Sequence, residues 1–363
     1  MISLARSSFL FIIIAVVAWL FVAFIRAPII PVEWQAPTNP QLTGVFSPNN
    51  ALASVETLSM PGFGPEDVAC AADGSFVSGL ADGRIVRWRD GTTPDVIANT
   101  GGRPLGMDFD ATGRLIVADA QRGLLSMDEQ GEIDVLVNQY RGRPLKFVDD
   151  LAIAANGTIW FSDASQRFGI EDNLLDFFEG SRTGRLLSYR PTDGKVSVHM
   201  DGLFFANGVT MGPNDNYVLV NETGLGRVQR YWLTGPKAHT ADMFIEHLPG
   251  TPDNINFDGD DRFWIAMPSL RNGIDGFADK PFIRRLLSVL PTYFLSVGAS
   301  VSSFVVAVDT QGQVVANLQD PTLGYHYITS ATPCGGRLWL GSLQMSSVAQ
   351  LPLINSTKTL LDP

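Results

Sequence analysis

The 363-residue chain is poor in the residues that usually build a nucleophile or a transition-metal site. It has two cysteines, and its four histidines, His199, His239, His247 and His326, stand in no metal-ligand spacing. Zinc and copper, which draw on thiolate and imidazole, therefore lack their ligands. No Gly-x-Ser-x-Gly motif occurs, so the exposed serine of a strand-turn-helix hydrolase is missing too. Positive charge is scarce: 26 lysines and arginines against 37 aspartates and glutamates give a formal net charge of −11 and a pI near 4.8. Nucleic acid is a poor partner for such a surface, because binding it requires a basic footprint that displaces counterions. A divalent cation or a neutral small molecule suits it better.

Glycine (35), proline (22) and aromatics (10%) are well supplied. That composition suits a turn-rich all-β protein. The one long apolar run, "SSFLFIIIAVVAWLFVAFI" at 7–25, is uncharged and lies between Arg6 and Arg26. It is long enough to cross a bilayer as a helix. The following "FIRAPII" offers no small-residue cleavage site, so the run reads as an uncleaved single-pass anchor behind a short tail at 1–6. Residues 26–50, with "APIIPVEWQAPTNPQLTG", read as a tether, and 51–363 as the globular part. The propeller is expected on the extracytoplasmic side, periplasmic in a bacterium, although one arginine on each flank leaves the orientation weakly determined.

Self-alignment reveals six copies of one unit: a polar entry, an alternating strand, a tight turn and a second strand. They are "PEDVACAADGSFVSGL", "PLGMDFDATGRLIVAD", "VDDLAIAANGTIWFSD", "ANGVTMGPNDNYVLVNE", "PDNINFDGDDRFWIAM" and "YITSATPCGGRLWLGS", with turns at Gly74, Gly113, Gly157, Asn216, Asp261 and Gly336. Further strand-like pieces follow most copies. The pattern predicts a six-bladed β-propeller. Two intervals are long, "SQRFGIEDNLLDFFEGSRT" in the third unit and "RNGIDGFADKPFIRRLLSVLPTYFLSVGAS" in the fifth. Insertions of this kind stand over binding faces, and the second, with Lys280, Arg284 and Arg285 among apolar residues, could also lie on a membrane surface.

Eight residues before the turns, allowing one extra turn residue in the fourth unit, stand Glu66, Leu105, Asp149, Asn207, Asp253 and Ile328. Equivalent positions on innermost strands share one height in the channel, so Glu66, Asp149, Asn207 and Asp253 should converge, with Asn254 adding a carbonyl oxygen. Close carboxylates repel by ~4 kcal/mol per pair at an effective dielectric near 20. An all-oxygen set selects calcium before zinc or copper. The alternative is a set of polar turn caps closing the channel mouth. One residue later, Asp67 and Asp150 are either a second cation site or solvated and backbone-bonded aspartates.

"FVDDLAIAANGTIWFSDAS", "GLFFANGVTM", "RYWLTGPKAHTADMFIEHLPGTPDNI" and "YITSATPCGGRLWLGSL" resemble the strictosidine synthase-like branch of the gluconolactonase and paraoxonase superfamily. The resemblance runs from about Leu52 to Leu353. It implies a six-bladed propeller with calcium at the channel mouth and esterase or lactonase activity. It also implies that Glu66, Asp149, Asn207, Asp253 and Asn254 fall on the catalytic-calcium ligands, Asp149 replacing the family's asparagine. Leu105 and Met267 stand where paraoxonases have histidines, and Pro333 stands where true strictosidine synthases have their catalytic glutamate. A histidine-dyad hydrolase and a condensing synthase are both disfavoured by those departures.

The resulting expectation is a membrane-anchored, calcium-dependent hydrolase of a small lactone or aryl ester, with Asp149 as base and His326 as a second base or substrate contact. The rival is a non-catalytic binding module with a structural calcium. Asp119, Asp163 and Glu222, six residues after their turns, read as blade-to-blade hydrogen-bond partners. Cys70 and Cys334 come from the first and last units, and they either pair across the ring closure or remain buried thiols.

Overall fold

The computed structural model describes residues 14, 18, 20–271, 273–291, 295 and 300–353. Six four-stranded antiparallel sheets stand around a channel as the blades of a propeller. Their innermost strands are Ala69–Cys70, Pro104–Phe109, Val148–Ile153, Ala206–Met211, Ile255–Phe257 and Ile328–Cys334. The first five blades take all four strands from consecutive chain. The sixth borrows its outer strand from near the amino terminus: Glu56–Ser59 pairs with Ser347–Pro352, placing Glu56 opposite Gln350 and Ser59 opposite Ser347. At the same seam a Cys70–Cys334 disulfide joins the innermost strands of blades 1 and 6, so the two cysteines are paired.

Alternation of apolar residues gives each blade two faces, and six buried clusters fill the wedges between neighbouring blades. Val77 and Ile85 of blade 1 meet Leu115 and Leu125 of blade 2, for example. Each such side chain stabilises the fold by roughly 1.5–3 kcal/mol when taken fully out of water. The ring is therefore held by packing between blades as well as by its two closures.

Both insertions lie over the channel mouth. The first contains the helix Asn173–Glu179 and the second the helix Pro281–Leu287, called α1 and α2 below. Arg284 on α2 is completely buried, and every hydrogen bond it makes is to a backbone carbonyl. Nε donates to Phe277 (2.9 Å), Nη1 to Phe178 (2.8 Å) and Glu179 (3.1 Å), and Nη2 to Val32 (2.7 Å) and Ala278 (3.0 Å). One side chain thus caps the end of α1, closes the loop before α2 and grips the stretch that leads in from the amino terminus. The sequence pattern, which puts Arg284 with Lys280 and Arg285 on a cationic face, is corrected here: the Arg284 guanidinium is buried.

That leading stretch is no loose tether. Val32 N donates to Glu179 O and Ile30 N to the Glu179 carboxylate, while Ile29 and Trp34 are buried, Trp34 edge-on to Phe204. Farther along, Gln319 and Asn317 of blade 5 hold Phe46, Ser47 and Asn49. The packed body therefore reaches back to Ile29 rather than beginning near Ala51. Of the 7–25 run, only Ile14, Ala18 and 20–25 are described, all helical, and the rest lies outside the described residues. Among the described residues no helix is long and apolar enough to cross a membrane.

Candidate functional site

The ladder between first and second strands breaks at the same point in several blades. Register shifts fall between Val148 and Leu151, between Ala206 and Val209, and between Pro104 and Met107. Such bulges release a residue from the ladder and re-aim side chains. Asp149 with Asp150, and Asn207 with Gly208, occupy the released positions. Two consecutive residues can therefore both address the channel, which a regular strand forbids.

In blade 5 the ring residue stands just before its strand and is pinned by three blades. Asp253 N donates to Ala266 O in its own blade, Asn254 N to Thr329 O in blade 6, and Asp253 O accepts from Gly208 N in blade 4. Asn221 and Thr223 of blade 4 add side-chain bonds to the Asp253 and Pro252 carbonyls. Gly208 is obligatory for this approach, since a Cβ there would lie 2.5 Å from Asp253 O.

Glu66, Asp149, Asn207 and Asp253 form the polar floor of a cavity of about 390 Å³ whose walls are mainly apolar. Leu105, Phe147 and Phe205 line it from the propeller, Phe177 from the first insertion, and Phe277 and Leu287 from the second. Both insertions are thus walls of the cavity, as their position in the sequence suggested.

The floor carries unpartnered oxygen. Glu66 Oε2, Asp149 Oδ2, Asn207 Oδ1 and Asn254 Oδ1 are all buried without a hydrogen-bond partner, although buried polar atoms nearly always have one. Burial, reinforced by the charges of Asp253, Asp67, Asp149 and Asp150, pushes Glu66 well above the usual carboxylate range. Asp149 is raised by burial and then by Asp253, and burial takes Asp253 up to about 7 against a bond from Asn207. Among the described residues no three acidic, histidine or cysteine side chains close into a ready-made metal cluster. Two of the five ring members are amides, and calcium completes its shell with carbonyls and water. Glu66, Asp149 and Asn207 line the cavity and Asn254 bonds to Glu66, and an all-oxygen donor set with orphaned lone pairs fits calcium.

The next layer down is backbone-bonded and buried. Asp67 accepts from Met107 N of blade 2, and Asp150 accepts from Leu151 N and from Val209 N of blade 4. These two acids bridge neighbouring blades. Asp119, Asp163 and Glu222 do not: they accept from Arg103 N, Phe147 N and Phe204 N, each in the entry loop of its own blade. They set the angle at which each chain enters its innermost strand, and the reading as blade-to-blade partners is corrected.

His326 is not among the cavity-lining residues. Its Nδ1 lies 3.0 Å from the Leu323 carbonyl within its own loop. The neighbouring Tyr327 lines the cavity instead, and burial and then the nearby Asp253 push its phenol up to about 12. Tyr327 has φ +53, a left-handed backbone that periodicity cannot anticipate. The adjacency "HYI" was its only trace in the sequence.

Residues 44–88 match the family described as strictosidine synthase-like, N-terminal, and residues 149–236 match strictosidine synthase. The chain is 34% identical over 298 residues to Protein STRICTOSIDINE SYNTHASE-LIKE 7 of Arabidopsis thaliana, covering 80% of this chain and 79% of that one. It is 34% identical over 348 residues to the adipocyte plasma membrane-associated protein of Gallus gallus, covering 89% and 83%. Among solved structures, a gluconolactonase from Xanthomonas campestris superposes with a TM-score of 0.62 at 20% identity, over 90% of this chain and 99% of that one. The calcium-binding protein regucalcin from Agrobacterium tumefaciens gives a TM-score of 0.56 at 14% identity, over 82% and 90%. At those identities the two structures speak for the propeller fold alone. The relatives, a third identical along most of their length, decide the family: this chain belongs to the strictosidine synthase-like proteins.

Proposed function

We propose that the protein is a membrane-anchored, calcium-dependent hydrolase of lactones or aryl esters. The observation that carries this reading is the set of unpartnered oxygens Glu66 Oε2, Asp149 Oδ2 and Asn207 Oδ1 on residues that line a mainly apolar cavity, with the unpartnered Oδ1 of Asn254 on a side chain bonded to Glu66. Glu66, Asp149, Asn207, Asp253 and Asn254 would hold the calcium. Bound there, it would polarise the ester carbonyl and stabilise the charge that develops on its oxygen.

The chain's own residues supply the rest. Asp149 would take a proton from the attacking water, a general-base role. The aromatic and aliphatic walls exclude bulk water and accept the apolar body of the substrate. Among the described residues, Tyr327 brings the only phenol to the cavity lining. Its hydroxyl is a proton donor at the edge of the carboxylate ring. The gluconolactonase and regucalcin superpositions support a propeller that can house such chemistry. The adipocyte plasma membrane-associated relatives and the apolar 7–25 run support a membrane location. The Cys70–Cys334 disulfide supports an oxidising, extracytoplasmic compartment.

A second reading is favoured by one observation: no histidine lines the cavity. A binding module with a structural calcium needs no base. Turnover separates the two. Wild-type protein stripped with chelator and then reloaded with calcium is assayed on phenyl acetate and simple γ- and δ-lactones. Calcium-dependent hydrolysis of any of these supports the enzyme, and calcium-loaded protein that turns over none of them supports the binding module.

A further inference from the structure

The helical residues 20–26 end against the lid. Phe24 packs on Phe282 of α2 with ring centroids 5.2 Å apart, and the Arg285 guanidinium lies 4.2 Å from the centre of the Phe24 ring. Around this contact the apolar side chains are left in solvent. Phe282 is 60% exposed and Ile283 38%, and Phe21, Ile25 and Ile30 are each at least 60% exposed. Monomeric soluble proteins rarely leave so many large apolar side chains together.

Phe21 and Ile25 belong to the 7–25 apolar run, and Phe282 and Ile283 share α2 with Leu287, a wall of the cavity. Cations accompany them: Arg26, Lys280 and Arg285. Asp279, 3.4 Å from Lys280, and Glu33 partly oppose them. On a chain of net charge −11, a face that keeps three cations beside bare aromatic and aliphatic groups has the composition of a membrane-surface element.

We infer that α2 and the end of the amino-terminal helix form one face that rests on an anionic lipid bilayer, with the mouth of the cavity opening at the headgroups. Arg284 makes that face one piece with α1 and the strap at 30–34, so docking would carry both walls of the lid together. An amphiphile could then pass from lipid to cavity without crossing water. The surface stands apart from calcium and from hydrolysis, and its test reads neither.

Both native cysteines are in the disulfide, so a cysteine introduced into the full-length chain can carry an environment-sensitive fluorophore selectively. Ile283→Cys reports on the lid, with Phe282→Cys as a second position. Thr112→Cys reports from a turn at the opposite end of the propeller. Each labelled protein is reconstituted into phosphatidylcholine–phosphatidylglycerol vesicles with and without spin-labelled acyl chains. The expected result is blue-shifted, lipid-quenched emission at 283 and 282 and aqueous emission at 112. Replacing Lys280 and Arg285 by Gln should shift the docked fraction toward free by roughly fivefold per charge. Aqueous emission at both lid positions would overturn the inference. So would a shift that rises with protein density and resists the lipid quencher, because a second copy would then cover the face. Quenching unchanged by the two Gln substitutions would overturn the anionic-surface assignment.

Discussion

Asn254 reaches across the channel mouth to Glu66: its Nδ2 donates to Glu66 Oε1 at 3.0 Å. The bond links blade 5 to blade 1, which are not neighbours in the ring, so the two residues meet only because all six blades point their entry segments inward. It leaves Asn254 Oδ1 and Glu66 Oε2 without partners. Each residue therefore has one atom committed to the ring and one oxygen free for a cation. The polar pair at Asp253-Asn254 is more than a turn motif, because its backbone is pinned by three blades, the Asp253 side chain lines the cavity and the Asn254 side chain bonds to Glu66.

Asp149→Asn restores the ligand typical of paraoxonases and keeps an oxygen donor at the position, while it removes the proposed base. Calcium should remain bound, and hydrolysis should fall by ~10²–10⁴, the range for lost general-base catalysis. Steady-state rates and metal content measured on one preparation test this. Full activity in Asp149→Asn would reject the base assignment.

Arg284→Met keeps much of the volume and removes the five guanidinium hydrogen bonds to the carbonyls of Val32, Phe178, Glu179, Phe277 and Ala278, of which Glu179, Phe277 and Ala278 each keep a backbone donor. Each carbonyl left buried and unpaired costs about 1–3 kcal/mol. The blades have their own packing, so the loss should stay local. Hydrogen exchange should quicken in 30–34, 173–179 and 281–287 and stay unchanged in the strands of blades 1 and 2. Uniform quickening would mean that the lid is integral to the ring's stability.

His199 gives a pH dependence away from the site. Its Nε2 lies 2.8 Å from Ser188 Oγ and its ring packs on Trp160, and burial, with a smaller push from His239, lowers it from 6.5 to about 4. The unfolded chain then binds the extra proton first. Its effect on stability is constant above about 6.5 and destabilises the fold as pH drops from there toward 4. Denaturation midpoints of wild type and His199→Phe, followed between those values, should show a shallower acid loss in the variant. Parallel curves would place the titration elsewhere.

Much of the fold was legible because its signals are local. Alternating apolar residues and turn residues such as Gly74, Gly113 and Gly157 mark the inner hairpins, and an offset of eight residues from the turns, nine in the fourth unit, lands on Glu66, Asp149, Asn207 and Asp253. What stayed hidden depends on partners distant in sequence. Arg284 looks like any cation on an amphipathic segment until the carbonyls of Val32 and Phe178 are brought to it. Trp34 sits in a proline-rich stretch with the composition of a linker, and only its packing edge-on to Phe204 makes it a core residue. His326 and Tyr327 are adjacent, and a positive φ at Tyr327 accompanies the arrangement that puts the tyrosine, not the histidine, at the cavity.

The calcium ring is tested most directly by calorimetric titration of chelator-stripped wild type and Asp253→Asn with calcium. Asp253→Asn preserves shape and the contacts of the 252–254 turn backbone while removing one ligand charge. Saturable binding to one high-affinity site in wild type, strongly weakened in Asp253→Asn, is the predicted result. No saturable binding to folded wild type, or an isotherm that the substitution leaves unchanged, would contradict the assignment of calcium to Glu66, Asp149, Asn207, Asp253 and Asn254.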